Sequence, residues 1–176
     1  MSITPEVTKL AVLAPLTAFV IYYDVRYRRI PNALVLAALA CGLAVNTFYG
    51  GLHGTAASLL GFAIAFIPML LIHIFGAMGA GDVKLFGAVG SILGASLVPM
   101  TLVLVALLGG ALAIFSTLRA GTVISTLHGV ARIFVGLLPG WEMPRFAMKA
   151  DRRHTIPYGV AIMIGSLISA LALVVR

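Results

Sequence analysis

The sequence predicts an all-α protein, a polytopic membrane helical bundle with about six transmembrane helices and one amphipathic helix on the cytoplasmic side. Hydrophobic residues make up 61% of the 176 residues, charged residues make up only 10%, and the mean hydropathy is +1.13. A soluble domain usually carries about 25% charged residues. We therefore expect residues 1–176 to form a single membrane-embedded domain, with no separate soluble domain.

Six apolar stretches account for the predicted helix count, since each crossing of the hydrocarbon layer takes roughly 20 residues. The first stretch has no basic segment ahead of it and no clear cleavage site, so we interpret it as a retained helix rather than a removed signal. The fourth stretch is short and rich in glycine, and only Pro99 separates it from the fifth. The stretches are 5–23, 33–50, 55–75, 83–98, 99–118 and 157–175.

The basic residues predict the orientation of the bundle. Ten of the twelve Lys and Arg residues fall in connections on one side of the membrane, whereas Lys9 and Arg176 fall towards the other. Because basic loops remain in the cytoplasm, both termini are predicted to be periplasmic. We expect the net charge of +7 to contact anionic lipid headgroups. The basic residues lack interleaved aromatic platforms, which argues against nucleic-acid binding.

The longest polar connection, residues 119–156, carries the predicted amphipathic helix. Its apolar residues recur at spacings of three and four, whereas Ser125, His128 and Arg132 lie off that stripe. A helix lying in the headgroup layer fits this pattern. The alternative is a seventh crossing, which would divide the basic residues between the two sides. The apolar stripe consists of Val123, Leu127, Val130, Phe134, Leu137 and Trp141.

Two of the five acidic residues, Asp24 and Asp82, lie at the boundaries of long apolar stretches on the predicted cytoplasmic side. An ionisable group in such a place is a functional hypothesis. Each residue also has an ordinary explanation. Asp24 could pair with Arg28 one helical turn further on, and Asp82 could serve as the N-cap of its helix. Neither explanation accounts for the shared side and depth of the two residues, or for the glycines that precede Asp82.

Two carboxyl groups that converge on one water molecule can divide the work of peptide hydrolysis. The ionised group accepts a proton from the water, and the protonated group donates to the scissile carbonyl oxygen. Like charge and partial desolvation keep a single proton on the pair, so neither group is assigned as the fixed acid or base. The nearby Gly76, Gly79 and Gly81 have no side chains and leave room for a substrate strand or a neighbouring helix.

Two motifs around these aspartates resemble those of the type IV prepilin peptidases. The stretch GAGDVKLFGAVG, which contains Gly79, Gly81, Asp82 and Lys84, resembles the GxGD motif of that family. The upstream stretch DVRYRRIPN, which begins at Asp24, resembles the family's first aspartate motif.

Two further features complete the resemblance. The first aspartate motif, DVRYRRIPN, ends in Pro31 and Asn32, and a third motif lies late in the chain. The stretch IPYGVAI, with Pro157 and Gly159, resembles the motif that precedes the family's last helix. The family often has proline where this chain has Val160. All three motifs occur in the family order. The residues expected to position the substrate are Pro31, Asn32, Gly79, Gly81, Lys84, Pro157 and Gly159.

The resemblance implies an intramembrane aspartic endopeptidase of the bacterial inner membrane, with Asp24 and Asp82 as the catalytic pair. It would use no cofactor or metal, and it would cleave at the cytoplasmic face. Its partners would be an anionic bilayer and a prepilin or pseudopilin substrate with a basic leader and a hydrophobic helix. Larger relatives also carry zinc-binding cysteines and methylate the new amino terminus. This chain has the single Cys41 and resembles the short, peptidase-only branch associated with Flp pili, so we expect no methyltransferase activity.

Two other classes of function stay open. A small proton-coupled transporter could use the same aspartates as a relay, but it would be expected to show inverted repeats and carboxylates near the bilayer midplane. A non-catalytic assembly protein of a secretion machine would not need the aspartates. The sequence contains neither a His-Glu-x-x-His nor a Gly-x-Ser-Gly motif. Its four histidines are scattered, and His73 is interpreted as a hydrogen-bonded packing residue.

Overall fold

The computed structural model describes residues 4–74, 78–121 and 158–175, and every regular element within those ranges is a helix. This part of the chain confirms the all-α fold. The predicted amphipathic helix lies outside the described residues. The helices are α1 (Pro5–Tyr27), α2 (Asn32–Ile74), α3 (Ala80–Leu93), α4 (Val98–Ala120) and α5 (Tyr158–Val174).

Three of these helices, α1, α2 and α4, are long and apolar enough to cross a membrane by length and composition. α5 is a shorter apolar helix of 17 residues. Large apolar side chains on the outside of the bundle are exposed, for example Phe48, Leu52 and Leu107. A protein that exposes such side chains along several helices is suited to contact with lipid rather than with water.

Gly51 divides the 43-residue α2 into two arms. Its φ of 54° and ψ of −136° are not helical, and glycine adopts a positive φ without steric cost. The arms meet on either side of it, because the hydroxyl oxygens of Thr47 and Thr55 lie 2.8 Å apart. Eight residues of continuous helix would separate these positions by about 12 Å along the axis. The two arms correspond to the second and third predicted stretches.

α3 lies at the centre of the bundle, and every residue from Leu85 to Leu93 is buried. Both arms of α2 approach it closely. The backbones of Gly61 in α2 and Gly90 in α3 are in contact, and a Cβ atom on Gly87 would lie 3.0 Å from the Phe62 ring. Small residues allow helix backbones to approach each other, which favours association in lipid through van der Waals packing.

Polar side chains bind the carbonyl groups at the carboxyl end of α3. Asn46 donates to the Ser91 carbonyl over 2.8 Å, and Ser58 donates to the same carbonyl over 2.9 Å. The Lys9 ammonium group lies 3.3 Å from the Leu93 carbonyl oxygen. The last carbonyls of a helix have no intrahelical partners, and a positive charge is favourable at that end. These contacts hold the end of α3 that lies opposite Asp82.

The break between α3 and α4 spans residues 94–97, so the predicted end of the fourth stretch at 98 is wrong by several residues, whereas the predicted start of the fifth at 99 lies one residue from the start of α4. Gly94 has a φ of 82° and ends α3, and its N–H donates to the Gly90 carbonyl. α4 then begins at Val98 with Pro99 in its first turn. Proline is well tolerated there, because the first N–H groups of a helix have no partner in any case.

α5 packs against α1 and α4. A Cβ atom on Gly165 of α5 would lie 2.9 Å from the Val105 side chain, and one on Gly109 of α4 would lie 2.8 Å from the Tyr158 ring. At its amino end, Gly159 approaches Asp24 of α1. This packing brings the late motif to the end of the bundle where the two aspartates lie.

Candidate active site

Asp24 lies in the last turn of α1 and is only 7% exposed. α1 ends because Arg28 takes a left-handed conformation with a φ of 53°, and its N–H donates to the Asp24 carbonyl oxygen. The positive charge of Arg28 lies close enough to act on the Asp24 carboxylate. The backbone N–H groups of Gly159 and Val160 at the amino end of α5 also lie near this carboxyl group. By hydrogen-bond geometry, however, Asp24 Oδ2 has no partner in the described part of the chain. Buried polar atoms usually have a partner, so this oxygen can accept a further hydrogen bond from a ligand.

Asp82 lies in the first turn of α3, but it is not the N-cap. The N-cap is Gly79, and Asp82 is the third residue of the helix, so the N-cap explanation drawn from the sequence is wrong. The Asp82 N–H donates to the Gly79 carbonyl over 3.2 Å. A Cβ atom on Gly79 would lie 3.0 Å from Asp82 Oδ2, which shows that the Asp82 side chain folds back over the glycine.

The fold brings Asp24 and Asp82 into one cluster through shared neighbours. Gly159 contacts both the Asp24 carboxylate and the Ile30 side chain. Ile30 in turn is the side chain nearest to Gly81, the residue before Asp82, at 3.9 Å from a Cβ built there. The Asp24 charge is also close enough to act on Asp82. Ile30 thus contacts the neighbour of Asp24 on one side and the neighbour of Asp82 on the other.

The surroundings of Asp82 favour the neutral form of its carboxyl group. Asp82 lies outside the three helices that are long and apolar enough to cross a membrane. Burial raises the pKa of Asp82 to about 7, and the negative charge of Asp24 adds to the rise. The backbone N–H of Gly79 acts in the opposite direction, because it favours the ionised carboxylate. A carboxyl group with such a pKa carries a proton for a large share of the time at neutral pH.

Gly159 lies directly against the Asp24 carboxylate. A Cβ atom at this position would come within 2.7 Å of Asp24 Oδ2 and 3.1 Å of its carboxyl carbon. The late motif is therefore part of the same cluster as the two aspartates. Its first predicted site residue, Pro157, lies outside the described residues.

The other predicted motif residues have varied surroundings. Gly79 and Gly81 lie beside Asp82, as described above. Lys84 and Asn32 are exposed. The Pro31 carbonyl accepts the Leu34 N–H over 3.1 Å and so begins α2. A substrate-positioning role remains a prediction for Lys84, Pro31 and Asn32.

Two residues near the site were not among the predicted site residues. Ile30 belongs to the first aspartate motif, but an apolar residue within a motif carries no chemical signal of its own. His73, interpreted from the sequence as a hydrogen-bonded packing residue, is confirmed as hydrogen-bonded, since its Nδ1 lies 2.7 Å from the Met78 carbonyl oxygen. This contact joins the end of α2 to the residue before Gly79.

Two carboxyl groups that share a proton next to an open lone pair can activate a water molecule and protonate a carbonyl oxygen. The arrangement of the two aspartates suits general acid–base hydrolysis. Within the described ranges, no group of three or more His, Cys, Asp or Glu side chains could hold a metal ion.

Comparison with known proteins finds a family and a relative that the chain matches. Residues 11–114 match the model of the type IV leader peptidase family. A relative from Bacillus subtilis (strain 168), named prepilin leader peptidase/N-methyltransferase, is 27% identical over 175 residues. The match covers 96% of this chain and 57% of that protein. No solved structure matches the chain.

Proposed function

Because this membrane protein belongs to the type IV leader peptidase family, we propose that it is an intramembrane aspartic endopeptidase that removes leader peptides from prepilin-like proteins, with Asp24 and Asp82 as its catalytic pair. The observation that carries the proposal is the clustering of the two carboxyl groups. One of them has a buried oxygen with no hydrogen-bond partner among the described residues. The other has a pKa raised to about 7 by burial and by its neighbour, so that it is both protonated and ionised to a similar extent at neutral pH.

The proposed reaction follows from one proton shared by two carboxyl groups. A water molecule between them loses a proton to the ionised carboxylate, and its oxygen attacks the scissile carbonyl carbon. The protonated carboxyl group donates its proton to the carbonyl oxygen, which gives a neutral tetrahedral intermediate. When this intermediate collapses, one of its hydroxyl groups returns a proton to the ionised carboxylate as the C=O bond re-forms. The C–N bond breaks, the amine nitrogen takes up the proton of the protonated carboxyl group, and the pair again holds a single proton.

We propose about six crossings of the inner membrane, with the dyad at the cytoplasmic boundary and both termini in the periplasm. The six apolar helical segments are α1, the two arms of α2, the apolar part of α3 that follows Asp82, α4 and α5. The distribution of the basic residues supports this orientation. α3 is about 21 Å long, less than the hydrocarbon thickness of about 30 Å, so its ends need not both reach water.

The proposed substrate is an Flp-type prepilin or pseudopilin, with a basic leader followed by a hydrophobic helix in the same membrane. Such a substrate holds its cleavage point at the boundary where the dyad is proposed to lie. A net charge of +7 would repel the basic leader, and anionic lipid headgroups would offset that repulsion. Leader removal without methylation is the activity proposed. Incubation with a methyl donor, followed by mass measurement of the mature pilin, would reveal any methyl transfer.

The test replaces each aspartate in turn and measures leader removal from a prepilin in membranes. Asp24→Asn and Asp82→Asn should each abolish cleavage while the protein remains in the membrane at normal levels. Glu6→Gln, which removes an acid from the first turn of α1, is the matched control and should leave cleavage unchanged. Full cleavage by either aspartate variant would refute the proposal. Loss of cleavage in both would separate the peptidase from the transporter and the assembly protein, the two classes left open by the sequence.

A further inference from the structure

The contact between His73 and Met78 lies next to Gly79, the N-cap of the helix that carries Asp82. His73 belongs to the last turn of α2, and its Nδ1 lies 2.7 Å from the Met78 carbonyl oxygen. A carbonyl oxygen only accepts hydrogen bonds, so Nδ1 must carry the proton and donate it. Met78 is buried, and it directly precedes Gly79, the N-cap of α3.

The Met78 carbonyl and the Gly79 N–H belong to the same peptide group. This group is planar and trans, so its oxygen and its hydrogen point in opposite directions. A hydrogen bond that fixes the oxygen on one side therefore fixes the direction of the N–H on the other.

The Gly79 backbone lies against the Asp82 carboxyl group. The Asp82 side chain folds back over Gly79, whose hypothetical Cβ would lie 3.0 Å from Asp82 Oδ2. The Gly79 N–H favours the ionised form of the Asp82 carboxylate. Two other titratable groups lie near Asp82 on neighbouring helices: Asp24 of α1, whose charge acts on Asp82, and Tyr158 of α5, on which the Asp82 charge acts.

Glycine makes an external restraint necessary at this peptide. Gly79 has an extended conformation, with φ of −72° and ψ of 142°, but a residue without Cβ also populates positive φ readily. Rotation of the peptide between residues 78 and 79 would turn the N–H away from the carboxylate at little steric cost. The His73 ring opposes that rotation by holding the carbonyl.

We propose that His73 is a positioning residue, which donates to the Met78 carbonyl and thereby keeps the Gly79 N–H directed at the Asp82 carboxylate. The inference rests on the proposed function, because it assigns a task within the same dyad. His73 does not touch the reacting atoms. It acts through one peptide group on the orientation and the proton affinity of Asp82.

The test compares three histidine variants in the full-length protein in membranes, with prepilin cleavage measured from pH 5 to pH 9. His73→Leu removes the donor, and His73→Asn places an amide N–H near the position of Nδ1. His53→Leu is the matched control, because His53 is an exposed histidine near the turn at Gly51. Asp82→Asn and the wild type are measured beside them.

His73→Leu should lower kcat/KM roughly ten- to a hundredfold, since loss of one orienting contact disturbs a catalytic group by that order. It should also move the alkaline limb of the pH profile upward by about half a unit or more, because the ionised carboxylate loses a donor. His73→Asn should restore most of the rate and the position of the limb, and His53→Leu should match the wild type.

Three outcomes would overturn the proposal. They are wild-type kinetics in His73→Leu, a lower rate with an unshifted alkaline limb, and an Asn variant as impaired as the Leu variant. A lower rate without the shift would identify a structural role only. If Asp82→Asn itself cleaved like the wild type, the proposed function would fail, and this result is distinct from any outcome for His73.

Discussion

Gly159 of α5 packs directly against the carboxylate of Asp24 in α1, and a Cβ atom on Gly159 would lie 2.7 Å from Asp24 Oδ2. No real Cβ atom approaches an oxygen so closely, so any side chain here would force the carboxylate or α5 to move. This contact fixes the distance between the last described helix and the dyad. It also gives the glycine of the late motif a physical task that needs no contact with the substrate.

Gly159→Ala should therefore lower prepilin cleavage by tenfold or more, because displacement of a catalytic group by a few tenths of an ångström to about 1 Å carries a cost of that order. Cleavage kinetics in detergent or in vesicles measure the effect. The matched control is Gly110→Ala in α4, where a Cβ would have no neighbour within 4 Å. Gly110→Ala should cleave normally, and equal loss in both variants would contradict the steric argument.

The pH dependence of cleavage follows from the raised pKa of Asp82. Burial and the Asp24 charge place that pKa at about 7, so the dyad loses its shared proton as the pH rises through this value. Cleavage should fall above about pH 7, as measured by kcat/KM across the pH range. A profile flat to pH 9 would contradict the assignment.

The same ionisation predicts how stability depends on pH. In the folded protein the pKa of Asp82 lies above its ordinary value near 4, so the folded state binds more protons than the unfolded state between about pH 4 and pH 7. Stability should fall as the pH rises through that window and level off above it. Thermal unfolding in detergent measures this, and the Asp82→Asn variant, which has no such proton, should show a smaller decline.

The sequence predicts that Asp24 and Asp82 lie at the same end of the bundle, and in the structure Gly159 and Ile30 connect their surroundings. The boundary positions of the two aspartates, the sidedness of the basic residues and the motif order all indicate the same end of the bundle. The division of α2 into two arms agrees with the separate second and third predicted stretches, and the gap between them contains Gly51. These features depend on residue type and local order, which the sequence carries directly.

The contacts that complete the site were not predictable in the same way. The approach of Gly159 to Asp24 and the bond from His73 to the Met78 carbonyl depend on how separate helices pack, and no local pattern encodes that distance. The helix break at Gly94 was missed for a different reason. Pro99 suggested a boundary, but proline is stable in a first helical turn, so the interruption precedes it.

The packing of α3 between the arms of α2 predicts the effect of a small enlargement. A Cβ on Gly90 would meet the Gly61 carbonyl oxygen and lie 2.6 Å from the Ala65 Cβ. Gly90→Ala should lower the free energy of unfolding by about 1–3 kcal/mol, as overpacking of a well-filled core does. Chemical unfolding in mixed micelles measures the change, with Gly110→Ala as the variant that has free space. Unchanged stability in Gly90→Ala would mean that α3 and α2 are less tightly packed than the structure indicates.

The turn at Gly51 predicts a loss of stability for a different physical reason. Nothing would lie within 4 Å of a Cβ on Gly51, so the position has ample space. Its φ of 54° and ψ of −136°, however, form a backbone conformation that L residues rarely adopt. Gly51→Ala should therefore destabilise the protein by about 1–3 kcal/mol through backbone strain alone.

Gly50→Ala is the matched control for this turn, because Gly50 is equally open to solvent or lipid but does not have a positive φ. It should be neutral or slightly stabilising, since alanine loses less conformational freedom than glycine in a helix. Neither alanine side chain would have a neighbour within 4 Å. The difference in unfolding free energy between the two variants therefore measures the cost of the backbone conformation at position 51. Equal stability of the two variants would show that α2 passes position 51 without the reversal that brings its second arm, with His73, to Met78.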